Sequence, residues 1–528
     1  MVLITKSSSR ASTADIGETM IQMLRPMLHA MIGGLIVWMC FISGVFQEHS
    51  PTPHFSSTRT KTARDQESRH GHPLIGQPLP KWQEGFLDIH HIHSGVAVST
   101  FTVFPDGTTM LTDAGDQDLT RYVNKRYKAA TFRDEWKGRL SAAEPWPNPK
   151  LRPSQQISEY LLAMWPHNDE KNTVEETKIR RPLIDYMLNT HLHSDHLGQL
   201  YEDSRIQPKS QRGGDFYLTG ITEIGEHFDF GLFLDRGYPK YDFPYDLLQH
   251  WVPKRPTALG NYIKFIQHHV AAGRSRAENF EVGSDSQIVL LRNKKWNVTV
   301  RNIKSALDVS PALPNNRTVY HIPGELWPNR THNPFGKFDE NEMSNAYVLQ
   351  FGNFRYYEGG DQEYHPKVDT PQGIPADVLE MDTVSPTAQM AGKVDVATLN
   401  HHGHGVRPAF CNIMDPKVLI LQGWCSDHMP EHPLHMLMED PRPNNTRNND
   451  KNIDNGRHLF ATQVFNTKLQ ELGPLLARHF ESVLGHVVIR VSPPLLREQQ
   501  EYWVYILNGQ RIVTAVHGPY YPENEGAS

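Results

Sequence analysis

The stretch Asn189-Thr190-His191-Leu192-His193-Ser194-Asp195-His196-Leu197-Gly198 places four metal-capable side chains within six residues. An H-x-H-x-D-H spacing in a loop lets His191 and His193 turn toward one ion while Asp195 and His196 face a second. A loop, unlike a helix, can present neighbours in opposite directions. With 29 His in 528 residues a lone histidine says little, and the competing reading is a His-rich surface loop. Two later stretches add donors. Glu358-Gly359-Gly360-Asp361 brings a carboxylate after a glycine pair that allows close backbone approach, so Asp361 could bridge two ions. Asn400-His401-His402-Gly403-His404-Gly405 clusters three imidazoles. Asp113, in Thr112-Asp113-Ala114-Gly115, reads either as a turn residue or as a carboxylate orienting a ligand histidine from beneath.

Each of these stretches follows a short apolar run. Pro182 to Leu188 reads as a buried strand whose end carries the first loop. Ile89 to Val103 and Met110-Leu111, turning at Pro105-Asp106-Gly107, predict a β-hairpin that ends on Asp113. Ala346 to Phe351 and Phe354 to Tyr357, joined by Gly352-Asn353, predict two strands delivering Asp361. Val394 to Leu399 predicts the strand that stops on His401. Lys417 to Leu421 predicts another, running toward Trp424 and His432, and Val483 to Tyr505 a closing hairpin. Between these, 201–340 mixes short apolar runs with Pro and Gly and reads as an insertion that shapes the pocket rather than the core. A helix is expected there from Leu259 to Gly273, on the recurrence of Tyr262, Phe265, Ile266 and Val270.

A chain of this length can bury a large core. Its net charge of -6, with Lys+Arg 53 against Asp+Glu 59, argues against a general nucleic-acid-binding protein. Three cysteines, one of them (Cys40) inside an apolar run, cannot build a disulfide scaffold or a Cys-ligated zinc site. After a polar leader over 1–27, Leu28–Phe46 gives 19 residues without an ionised side chain, enough to cross a bilayer. It reads as a signal anchor or a signal peptide, making the protein single-pass membrane-bound or secreted. Sequons at Asn297, Asn316, Asn329 and Asn444 are compatible with that. Residues 47–82 read as a disordered linker, 83–515 as the catalytic domain and 516–528 as a tail.

The H-x-H-x-D-H loop, the later Gly-Asp and the strand-terminal histidines resemble the metallo-β-lactamase fold, an α/β protein built as an αββα four-layer sandwich. More narrowly, three stretches resemble the hydrolase domain of ComEC-like DNA-internalisation competence proteins. These are Leu87-Asp88-Ile89-His90 through Gly115, Phe354 to Asp361, and Asp395-Val396-Ala397-Thr398-Leu399-Asn400-His401-His402-Gly403. The likeness spans about residues 85 to 510, without the membrane channel of those proteins. Two departures stand out. Ser94-Gly95-Val96-Ala97-Val98 replaces the usual loop after the first strand, and the Gly-His-Thr-x-Gly element supplying a third histidine to one ion is missing. Asp339-Glu340-Asn341-Glu342-Met343-Ser344 stands in its place, so Glu340 or Asn341, or else His227, His268, His269, His321 or His332, would complete that ion.

The resemblance implies two divalent ions, zinc expected and manganese the alternative. His191 and His193 would hold one, Asp195, His196 and His401 the other, with Asp361 bridging. Asp195, His402 and Asp113 are the residues expected to act in catalysis, and His402, His404 and His432 are candidates to touch substrate. The implied reaction is attack by a metal-activated hydroxide on a phosphodiester, nucleic acid or small molecule. The alternatives are a lactone, thioester or other acyl substrate, or a catalytically silent membrane-tethered binding protein. No protein partner can be inferred.

Overall fold

The computed structural model describes residues 72–117, 141–167, 181–201, 207–244, 246–251, 257–313, 316–322, 340–365, 381–438, 456–494 and 499–523. The leader, the apolar span Leu28–Phe46, most of the linker, His332, Asn329 and Asn444 lie outside them. No helix among the described residues is long and apolar enough to cross a membrane.

Strands β1 to β6 are Leu87–His91, Thr100–Val103, Thr109–Thr112, Leu183–Leu188, Asp229–Asp235 and Arg276–Asn279. Strands β7 to β11 are Val298–Ser305, Asp308–Val309, Tyr320–His321, Ala346–Phe351 and Phe354–Glu358. A short pair follows, β12 (Tyr364–His365) and β13 (Met381–Asp382), then β14 to β17 at Val396–Thr398, Val418–Leu421, His458–Ala461 and Phe480–Ser482. The chain closes with β18 (His486–Val491), β19 (Tyr502–Leu507) and β20 (Val513–Tyr520). Among the described residues these form two nine-stranded mixed sheets, ordered β20-β19-β18-β1-β2-β3-β4-β5-β6 and β17-β16-β15-β14-β11-β10-β7-β8-β9.

Alternation along the strands decides the layering. On β4, Tyr186 and Leu188 face one core while Met187 between them faces another; on β10, Tyr347 and Leu349 oppose Ala346 and Val348 in the same way. The first core lies between the sheets, since Leu87, Leu188 and Leu234 of one meet Tyr347, Tyr356 and Ile420 of the other. The outer face of the first sheet is covered by α1 (Pro153–Ala163), α3 (Gly220–His227), α4 (Leu247–Trp251) and α5 (Ala258–Ala271), where α2 is the single turn Ser194–Leu197. The outer face of the second is covered by α6 (Val384–Ala391), α7 (Glu431–Met438) and α8 (Asn466–Ala477). Two large sheets in a mixed α/β arrangement are compatible with a metallohydrolase sandwich.

The hairpins and the site-bearing strands lie where the sequence places them, and α5 starts behind a Thr257 cap whose hydroxyl accepts from Gly260 N at 3.0 Å. Three boundaries need correction. Residues 201–340 are not peripheral: β5 and β6 extend the first sheet and β7 the second, burying Leu232, Phe233, Leu234 and Val300. Their apolar runs are as short as β-strands, and intervening turns and helices hide them. The end of the linker is folded, with Leu79 packed against Val488, Tyr505 and Val513. The tail begins as strand, since β20 runs to Tyr520.

Candidate metal centre

Parallel strands point their carboxyl ends to one edge of a sheet, and loops leaving that edge converge. β3 and β4 are parallel, as are β11, β14 and β15. Asp113 follows β3, the 189–198 loop follows β4, Asp361 follows β11, His402 follows β14, and Gln422, Trp424 and His428 follow β15.

Four buried donors meet there. His196 Nε2 lies 3.1 Å from Asp361 Oδ2 and 3.7 Å from Asp195 Oδ2. His402 Nε2 lies 3.3 Å from both Asp195 Oδ2 and Asp361 Oδ2. The donor atoms of Asp195, His196, Asp361 and His402 all fall within 4.8 Å of one another, as one ion requires of its ligands. Both imidazoles are held by the far nitrogen. His196 Nδ1 donates to Asp113 Oδ2 at 2.7 Å, and His402 Nδ1 to the Gln422 carbonyl at 2.8 Å, so Nε2 is the nitrogen each ring turns to the centre, free to ligate once an ion displaces its proton. The His402 ring also stacks on His428 at 4.2 Å and 2°, and the Trp424 indole N–H points at its Nε2 from 3.3 Å.

Asp113, with φ 58°, is saturated by this work. Beyond His196 it accepts from Asn189 Nδ2, Thr190 N and Thr190 Oγ1 at 3.1, 2.7 and 2.6 Å. Burial raises its pKa against the pull of His196. Backbone approach is equally tight: a Cβ on Gly115 would stand 1.8 Å from the Asp195 carbonyl oxygen, and Gly360, at φ +58°, fits between Thr190 and Ser344. Ser344 Oγ in turn accepts from Asp361 N at 3.0 Å.

The electrostatics favour a cation. Burial disfavours charge on His196 and His402, yet the surrounding carboxylates prevail, raising His196 well above the imidazole range and His402 to about 10. Asp195 and Asp361 are held below the carboxylate range by these imidazoles, despite burial. Two carboxylates are thus neutralised by shared protons, and a divalent ion would balance the same charge while releasing them. The donor set, two carboxylates and two imidazole Nε2 atoms, fits such an ion.

Of the ligands expected from sequence, Asp195, His196 and Asp361 come together. His191 and His193 flank them: His191 Nε2 is 3.8 Å from Asp361 Oδ2 and 3.2 Å from His193 Nδ1. His401 does not join the set. Its Nδ1 pairs with Glu363 and its Nε2 faces Asn341 Nδ2 at 3.3 Å, while His402, expected to act in catalysis or touch substrate but not to ligate, joins the donor set in its place. Both residues have left-handed backbone, φ 46° and 51°, and successive side chains in such a turn diverge. Glu340 is buried against Arg236, with both carboxylate oxygens accepting from the guanidinium, and Asn341 Nδ2 donates to Glu363 at 2.9 Å. His269 packs on Phe265 at 4.5 Å, His321 pairs with Asp308, and His227 and His432 are exposed. His404 lies beside His401, rings 5.0 Å apart. Sequence reasoning passed over Arg236, Glu363 and His428; the available signal was a polar residue one to seven positions beyond a strand end.

Fold and centre together define a mixed α/β two-sheet protein with a buried His/Asp cluster suited to a divalent metal. No protein-family model matches the sequence, and no curated protein matches it. Among solved structures, unliganded yeast PDE1 is similar over 77% of this chain and 99% of its own, at 10% identity and a TM-score of 0.30, a likeness too slight to bear on the chemistry.

Proposed function

We propose that the chain is a metal-dependent hydrolase of metallo-β-lactamase type, acting on phosphodiesters. The observation that supports this reading is the convergence of Asp195, His196, Asp361 and His402 from three separate strand-end loops onto one buried point. A divalent ion held there would supply Lewis-acid activation of water and of the substrate's phosphoryl oxygen. The chain's own residues prepare the site. Asp113 and the Gln422 carbonyl fix the two imidazole tautomers, Trp424 and His428 wall His402, and Ser344 sets the Asp361 backbone. The preference for phosphodiesters rests on the sequence likeness to DNA-internalisation hydrolases. We further propose that Leu28–Phe46 carries the body to or across a membrane.

The test is a hydrolysis panel of generic phosphodiester, phosphomonoester and ester substrates on the purified chain, with metal analysis. Phosphodiester turnover should disappear in chelator and return with Zn²⁺ or Mn²⁺. Full activity in metal-free protein would sink the mechanism, and turnover confined to esters would move the assignment to an acyl hydrolase.

A further inference from the structure

One short segment, 340–345, meets the metal loop and Asp361 together. The Glu340 carboxylate accepts from Leu192 N at 3.3 Å, Asn345 N donates to the Thr190 carbonyl at 2.8 Å, and Asn345 Nδ2 donates to the Asn189 carbonyl at 2.9 Å. On its other side Ser344 Oγ accepts from Asp361 N at 3.0 Å. The segment is a bracket between two ligand-bearing loops. Its own structure is slight, a single 3₁₀ turn at Asn341–Met343, and such a turn leaves carbonyls in need of donors. The strand that follows does not fix it either, because the pairing of β10 with β7 shifts register between Ala346 and Tyr347.

Lys304, near the end of β7, supplies what the turn lacks. Its side chain is fully buried, and Nζ donates to the carbonyls of Glu342, Ser344 and Ala306 at 2.7, 2.9 and 2.7 Å. Three carbonyls call for three N–H bonds, which an ammonium has and a neutral amine lacks. Holding a charge there is costly, since burial lowers the Lys304 pKa to about 7 with the Glu342 carboxylate opposing. An uncharged side chain of similar length removes that cost along with the three bonds, so the fold should survive the exchange while the bracket loses its anchor.

Resting on the metal-dependent reading above, we propose that Lys304 is a positioning residue for the metal centre. By drawing the Glu342 and Ser344 carbonyls onto one ammonium, it fixes the bracket that sets the metal loop on one side and the Asp361 backbone on the other.

The experiment measures Zn²⁺ affinity by chelator competition on the metal-stripped full-length chain, folding being checked by circular dichroism. Lys304→Met should weaken zinc binding by about tenfold or more, as losing a partner behind a ligand does. Val300→Ala, a cavity made in the same strand between the sheets, controls for lost stability alone and should bind zinc as the wild type does. Ser344→Ala should weaken zinc too, and the double variant Lys304→Met with Ser344→Ala should lose no more than the larger single loss, because both act through one bracket. Wild-type affinity in folded Lys304→Met, equal weakening in Val300→Ala, or fully additive losses would each overturn the inference and leave the proposed function standing. Should Lys304→Met not fold, Lys304→Gln, which keeps an amide donor, carries the same comparison, and failure of both to fold would make Lys304 a residue of the fold at large and overturn the inference. A wild type that binds neither zinc, manganese nor another divalent ion would overturn both.

Discussion

A carboxylate that never touches the ion can still decide its affinity, and Asp113 is placed to do so. Its Oδ2 accepts from His196 Nδ1 and Thr190 Oγ1 together. An amide nitrogen there would face two donors, so Asp113→Asn should weaken metal binding about 10–100-fold, measured by chelator competition. An unchanged affinity would reduce Asp113 to a turn residue. Glu358 lies deeper and titrates differently. Burial, acting against the Tyr356 and Thr398 hydroxyls that donate to it, raises its pKa from 4.5 to about 7. Between those values the native state keeps a proton that the unfolded chain has lost, so stability falls as pH rises through the window, by up to ~3 kcal/mol. Glu358→Gln should remove that slope, because hydroxyl partners can rotate to suit an amide. Urea unfolding of metal-stripped protein at pH 5 and pH 8 checks it, and equal slopes in both proteins would refute it. Residue types were legible in the sequence at this scale, but direction was not. Nothing in Asn400-His401-His402-Gly403 says which imidazole turns inward; that choice is made by the Gln422 carbonyl and Glu363, which lie elsewhere in the chain.

At the scale of elements, the sequence showed most of the site-bearing strands because each is a short apolar run closed by Gly, Asn or Asp. The metal loop is held on both sides by backbone. Val98 N donates to the Asp195 carbonyl at 2.7 Å, Ala114 N to that of His196 at 2.8 Å, and Asn345 N to that of Thr190 at 2.8 Å. The Ser94–Val98 segment, flagged as a departure from the competence hydrolases, is thus a brace for Asp195. Gly115 is the tightest point of this brace, and Gly115→Ala forces the Asp195 carbonyl to move. We expect a loss of at least ~1–3 kcal/mol in stability together with weakened metal binding. Thermal unfolding and zinc affinity measured on the same sample check this, and a neutral alanine would show that the loop yields freely.

Sequence reading fails most at the scale of the whole molecule, because sheet order is set by contacts between distant segments. β1 lies between β2 and β18, so the hairpin that opens the domain is paired on its other edge by strands from the far end of the chain. Asp88 and Arg490 seal that junction with two hydrogen bonds of 2.8 and 2.6 Å; the guanidinium overcomes burial and holds Asp88 at about 2. Val487, Ile489, Val491, Tyr502, Val504 and Ile506 then fill the space between the sheets. Fully burying six such side chains stabilises by on the order of 10 kcal/mol, comparable with the ~5–15 kcal/mol net stability of a typical domain. A chain ended after Leu484 keeps every proposed ligand, Asp195, His196, Asp361 and His402, and the flanking His191 and His193, yet loses these strands. It should therefore fail to fold and bind zinc no better than an unfolded chain, as limited proteolysis and equilibrium dialysis would show. A truncated protein with wild-type zinc affinity would mean that the centre is built by its own loops, and that the closing strands only cover it.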